Sequence, residues 1–168
     1  MPPRQALTRW GPLRPGNPSA IGERFAVLAP QLAIAGDRWH RHAAEVEALV
    51  RGIPGIDARR CYLTGFSFGA NGVFDLALAQ PQRWAALWPV DPTRVPNRDP
   101  QLPVWLSFGE VARVRKASFI QALRLEPDAA GERVYADDGD DHVGAARRAY
   151  ADERIYAWLL GHARPERG

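Results

Sequence analysis

The chain has 168 residues, 46% of them hydrophobic and 24% charged, with a net charge of +3; this fits one soluble globular domain with a core of its own. It contains no run of about 18 apolar residues that could cross a membrane and no apolar leader of the signal-peptide kind. Its single cysteine, Cys61, excludes an internal disulfide, so a cytoplasmic protein is expected.

Taken in chain order, residues 1–24 are rich in proline, glycine and arginine and read as irregular. Residues 25–30, Phe-Ala-Val-Leu-Ala-Pro, form a short apolar run ended by proline, as a buried parallel strand would. Residues 40–51 place Ala43, Val46, Leu49 and Val50 at helical spacing, and the group beginning at Gly52 stops that helix. Residues 61–64 are the next strand and run directly into Gly65. Val73, Phe74, Ala77 and Leu78 then mark a helix that ends before Pro81. Further strands are expected at 84–90, 104–108 and 133–136, with helices at 117–125 and 145–160, the last in one or two pieces. Residues 163–168 are a polar tail. Strands alternating with helices imply a mostly parallel sheet with helices on both faces, an α/β fold in a single domain spanning 1–168.

The basic excess is carried by arginines scattered among acids. Lys116 is the only lysine, and Arg113, Arg115 and Lys116 make only a short group. No stripe suited to tracking phosphates is present, so neither a nucleic acid nor a membrane is expected as a partner.

The strongest signal is Gly65-Phe66-Ser67-Phe68-Gly69, with a strand directly before it and a helix directly after. A sharp strand-to-helix turn strains its central residue and lifts the Ser67 hydroxyl out at the carboxyl end of the sheet. Glycines at 65 and 69 keep bulk away from the neighbouring strand and helix. The Phe68 N–H, at the start of the helix, can donate to an oxyanion.

Ser67 needs a base, because a free hydroxyl is barely ionised at neutral pH. Of four histidines, His40 and His42 precede the serine and His162 lies near the tail. His142 lies in the acidic loop between the last strand and last helix, where the order serine, acid, histidine is satisfied. Asp140 and Asp141 are too near His142 to orient it and read as loop residues that raise its basicity. The orienting acid must follow a strand. Glu110, after the strand at 104–108, and Asp91, after the strand at 84–90, both qualify, and the sequence does not choose between them. Trp84, Trp88, Trp105, Phe66 and Phe68 suit either apolar pocket walls or core. No spacing of histidine, cysteine or carboxylate indicates a metal, and no cofactor is expected.

From about residue 10 to residue 160 the chain resembles the α/β-hydrolase superfamily. The resemblance rests on Ala29-Pro30-Gln31 with Trp39, Ile56-Asp57 with Arg60, the block Tyr62 through Gly69, and His142 followed by Tyr150 and Ile155 through Leu160. The branch it looks like is that of small esterases related to dienelactone hydrolases, polyhydroxybutyrate depolymerases and the phospholipase/carboxylesterase group. This resemblance implies a serine esterase with Ser67 as nucleophile, His142 as base and a small-molecule ester as substrate. A prolyl-oligopeptidase-type peptidase would share the elbow and the residue order. Two departures stand out. Ala112 occupies the position where the branch carries its acid, so Glu110 or Asp91 would substitute. The family's early strands, one of which supplies a second oxyanion N–H and lies between the segment at 25–30 and the nucleophile strand, have no counterpart here. The resemblance therefore implies an N-terminally incomplete chain with a start upstream, or an inactive hydrolase-like domain.

Overall fold

The computed structural model describes residues 5, 7–18, 23–127 and 130–166; parts of the irregular segment and of the polar tail lie outside the described residues. A four-stranded sheet forms the centre: β1 (Tyr62–Phe66), β2 (Ala86–Val90), β3 (Val104–Phe108) and β4 (Arg133–Asp137). The strands lie in sequence order and every pairing is parallel, with Thr64 opposite Trp88 and Leu106 opposite Tyr135.

Helices α1 (Ala43–Arg51) and α2 (Phe68–Ala79) flank β1 in sequence, and a 3-10 turn at Trp39–His42 leads into α1. The short α3 (Glu110–Arg113) and α4 (Lys116–Leu123) connect β3 to β4. Then α5 (His142–Ala151) and α6 (Glu153–Leu160) close the chain. The expected final helix is thus two helices. Asp152 separates them, and its side chain caps α6 by accepting from the Arg154 N–H.

Side chains alternate across β2 and β3 as the period of a strand requires, and this creates two cores. Leu87, Val104, Leu106 and Phe108 pack on one face with Val73 and Phe74 of α2 and Phe119 and Leu123 of α4. Trp88, Val90 and Trp105 pack on the other face with Ala149 and Tyr150 of α5 and Ile155 and Leu159 of α6. Helices therefore cover both faces, and β2 and β3 are buried along their whole length. Trp84, Trp88 and Trp105 are at most 2% exposed and pack in the two cores, while Trp84 and Trp88 also border a cavity beside β1. Leu49, expected to pack from α1, is half exposed.

The expected strand at residues 25–30 is not one. Among the described residues the segment joins no ladder, and Val27 and Leu28 are each more than a third exposed. Phe25 anchors its start through edge contacts with Tyr62 and Tyr156, at ring-centroid distances of 6.1 and 6.0 Å. A strand needs a hydrogen-bonding neighbour along its length, and this apolar run has none. Among the described residues β1 pairs only with β2, and its outer edge is open. A cavity of about 760 Å³ is lined both by this segment (Phe25, Val27, Leu28) and by β1 (Tyr62, Leu63, Thr64).

The polar tail is tied down as far as it is described. Arg164 donates through its backbone N–H to the Arg59 carbonyl and through its guanidinium to the carbonyls of Pro81 and Trp84. No helix of the described residues is long and apolar enough to cross a membrane.

Candidate active site

Because all four strands are parallel, their carboxyl ends share one edge of the sheet. Ser67 follows β1, Asp91 follows β2, Gly109 follows β3, and the loop to His142 follows β4. Four loops distant in sequence therefore meet at one place, where sheets of this kind carry their sites.

Ser67 makes the turn from β1 into α2 with φ 57° and ψ −116°, a backbone region that costs a side-chain-bearing residue roughly 1–3 kcal/mol. The turn is held on both sides. The Ser67 N–H donates to the Val90 carbonyl at 3.0 Å, and the Ser67 carbonyl accepts from Ala70 at 3.1 Å and Asn71 at 3.3 Å. The two glycines of the motif are not equivalent. A Cβ on Gly65 would strike the carbonyl of Gly69, whereas a Cβ on Gly69 would meet open space. The expected need for glycine therefore holds at 65 and not at 69, because the crowding comes from the helix backbone folding over residue 65. Phe68 opens α2, where a helix's first amides have no intrahelical partner, and its ring is 48% exposed.

His142 is the first residue of α5. Asp141 caps that helix by accepting from the Gly144 N–H at 2.6 Å. Asp140 is engaged elsewhere, by the Arg148 guanidinium at 2.5 Å. The His142 ring lies between Ser67 and Asp91: Nε2 lies 2.9 Å from Ser67 Oγ, and Nδ1 lies 2.5 Å from Asp91 Oδ2.

Asp91 is fully buried and sits at φ 44° just beyond β2. Its carboxylate accepts from the backbone N–H groups of Gly109 (2.9 Å), Ala112 (2.7 Å) and Val111 (3.3 Å), in addition to His142. Four donors compensate the burial of the charge. They also settle the tautomer: an oxygen that only accepts makes His142 Nδ1 the protonated nitrogen and leaves Nε2 to accept from Ser67. Of the two acids expected from sequence, the fold brings Asp91 to His142, while Glu110 opens α3 with its side chain exposed. Ala112, standing where an acid was expected, is buried, and its amide feeds Asp91.

Several supporting residues carried no signal of their own in the sequence. Asn71 on α2 is buried, donates to Thr93 Oγ1 at 2.6 Å and accepts from the Thr93 and Arg94 N–H groups, both at 3.1 Å. It ties α2 to the loop after Asp91. Arg113 forks onto Asp137 at 2.9 and 3.0 Å and donates to the Asp140 carbonyl at 3.0 Å, joining the acid side to the histidine loop; Lys116 adds 2.8 Å to Asp137. Burial pushes the Asp137 carboxyl up, but the hydrogen bonds from Arg113, Lys116 and the Gly139 N–H outweigh it and hold it at about 2. Thr64 donates to the Trp88 carbonyl at 2.9 Å, so the buried Tyr150 hydroxyl, 3.0 Å away, must donate to Thr64. Burial raises the Tyr150 pKa well above the ordinary phenol value.

The remaining histidines serve other contacts. His42 pairs with Asp37 at 2.8 Å, and His162 lies edge-on to Trp158 at 4.5 Å. The single cysteine, Cys61, is half-buried, and burial pushes its thiol up, away from the reactive thiolate.

No protein-family model matches the chain, and no curated protein does. Among solved structures it is similar to one described as the crystal structure of a thermostable esterase, with a TM-score of 0.58 and 21% identity over 72% of this chain. The match covers 35% of that protein, so this chain spans about a third of its length. At that identity the likeness is one of fold: the chain shares an α/β fold with that structure.

Proposed function

We propose that the chain is a serine hydrolase of the small-esterase branch that cleaves carboxylic esters of small molecules through an acyl-enzyme. The observation that carries this reading is the aligned series Ser67 Oγ, His142 and Asp91, with separations of 2.9 and 2.5 Å and Ser67 raised on a strained turn.

In this reading Ser67 Oγ attacks the ester carbonyl carbon while His142 Nε2 takes its proton. Asp91 keeps the imidazole oriented and stabilises the imidazolium that forms. The negative charge moves to the former carbonyl oxygen, where the Phe68 N–H can donate. The tetrahedral centre then collapses, the alcohol leaves with the proton returned by His142, and the acyl group stays on Ser67. Water repeats the sequence and releases the acid.

Treatment with a fluorophosphonate probe tests the reading. Wild type should be labelled, Ser67→Ala should not, and a p-nitrophenyl ester should be hydrolysed only by the former. A parallel assay on a peptide p-nitroanilide separates an esterase from a peptidase. The open edge of β1 favours a second reading, a hydrolase-like domain that does not turn over. A folded wild type with no labelling at any pH would establish it.

A further inference from the structure

The Phe66 ring lies over the imidazole of His142, with centroids 4.5 Å apart and planes inclined at 37°. The pair is tilted, at the short end of the separations at which aromatic rings attract one another. Phe66 directly precedes the nucleophile, and its backbone is fixed because it is both the last residue of β1 and opposite Val90 in the ladder. Its ring is braced in turn: Trp10 lies 6.2 Å away at 53°, and the Arg9 guanidinium sits 4.8 Å over Trp10. Arg9, Trp10, Phe66 and His142 therefore form a column that ends on the ring of the base.

The two hydrogen bonds of His142 hold it only in the plane of its ring. Asp91 acts at one nitrogen and Ser67 at the other, and neither restrains rotation about the line joining them. The His142 side chain is 29% exposed, so water can reach it. A flat aromatic surface against one face limits that rotation and excludes water from that face. It also attracts the ring more strongly once it is protonated, since an aromatic face draws cations.

We infer that Phe66 is a positioning residue for His142, holding the imidazole in line between Ser67 and Asp91 through its aromatic face. The role of His142 as base rests on the proposed function; the positioning itself does not.

Two measurements on the intact protein test this. The first is proton NMR of the His142 Nδ1–H, assigned by its loss in His142→Gln. Held on Asp91, this proton should give a sharp far-downfield resonance in wild type. The resonance should persist in Phe66→Tyr, which keeps the ring, and broaden or vanish in Phe66→Leu and Phe66→Met, which keep bulk without it. Circular dichroism melts identify the variants that remain folded. The second is steady-state hydrolysis of a p-nitrophenyl ester. Without the ring, kcat should fall about tenfold with KM within about twofold of wild type, and tyrosine should restore kcat. An unchanged resonance in a folded Phe66→Leu or Phe66→Met protein overturns the inference, as does its loss in Phe66→Tyr. A wild type that shows the resonance pattern but hydrolyses no ester would sink the proposed function and leave the positioning role standing.

Discussion

The carboxylate of Asp91 fills the space that a side chain at residue 109 would need, and the Gly109 N–H donates to that carboxylate at 2.9 Å. A Cβ there would also crowd the Ala145 side chain on α5 at 2.7 Å. Gly109→Ala should therefore push Asp91 away from His142. The expected result is a loss of about 1–3 kcal/mol in urea unfolding, typical of overpacking, together with a fall in kcat of at least about tenfold. An alanine variant with wild-type stability and turnover would show that the carboxylate is not confined in this way.

The two acids that the sequence left open separate cleanly by mutation. Asp91→Asn keeps the shape but places an NH2 group among N–H donors and no longer fixes the His142 tautomer. Its kcat should drop by about 10³–10⁴, as when the acid of such a series is neutralised. Glu110→Gln, with an exposed side chain, should stay within about twofold of wild type. Side-by-side assays on one aryl ester decide the matter, and the reverse ranking would mean the base is oriented by Glu110.

Asp137 gives the protein a signature in acid. Its folded value, about 2, lies below the ordinary 3.8, so the carboxylate is stabilised by folding. That contribution is complete above about pH 4 and is lost as the pH falls towards 2, where the folded form also takes up its proton. The amount is on the order of 1 kcal/mol after solvent screening. Thermal melts from pH 5 to pH 2 should show a decline that Asp137→Asn flattens. Arg113→Gln should lower the melting temperature at neutral pH and also reduce turnover, because Arg113 holds the Asp140 carbonyl of the histidine loop.

The glycines around Ser67 should respond oppositely to alanine. Gly65→Ala meets the backbone of Gly69 and should leave little soluble, cooperatively melting protein. Gly69→Ala meets nothing and sits within the first turn of α2, where alanine is the better helix former. It should be neutral or gain up to about 1 kcal/mol. Equal damage at both positions would contradict the geometry of the turn.

The turn from β1 into α2, the serine at its tip and the histidine after β4 were legible in the residues themselves. An apolar run, a glycine-flanked serine and an amphipathic stretch specify their local conformations through near neighbours. The choice between Asp91 and Glu110 was not legible, because both follow strands and both can accept a proton. Which carboxylate stands at His142 follows from where the backbone after β3 points its amides: Gly109, Val111 and Ala112 turn theirs onto Asp91, while the side chain of Glu110 faces water. Residues 25–30 show the same limit from the other side. Their apolar run is strand-like by composition, yet a strand exists only where another segment meets its hydrogen bonds, and along β1 that neighbour is a cavity. The sequence by itself thus determined the turn from β1 into α2 with Ser67 at its tip, whose requirements are local. Only the tertiary structure decided which carboxylate meets His142, that the edge of β1 is open among the described residues, and which ring packs against His142, because each depends on contacts between segments far apart in the chain.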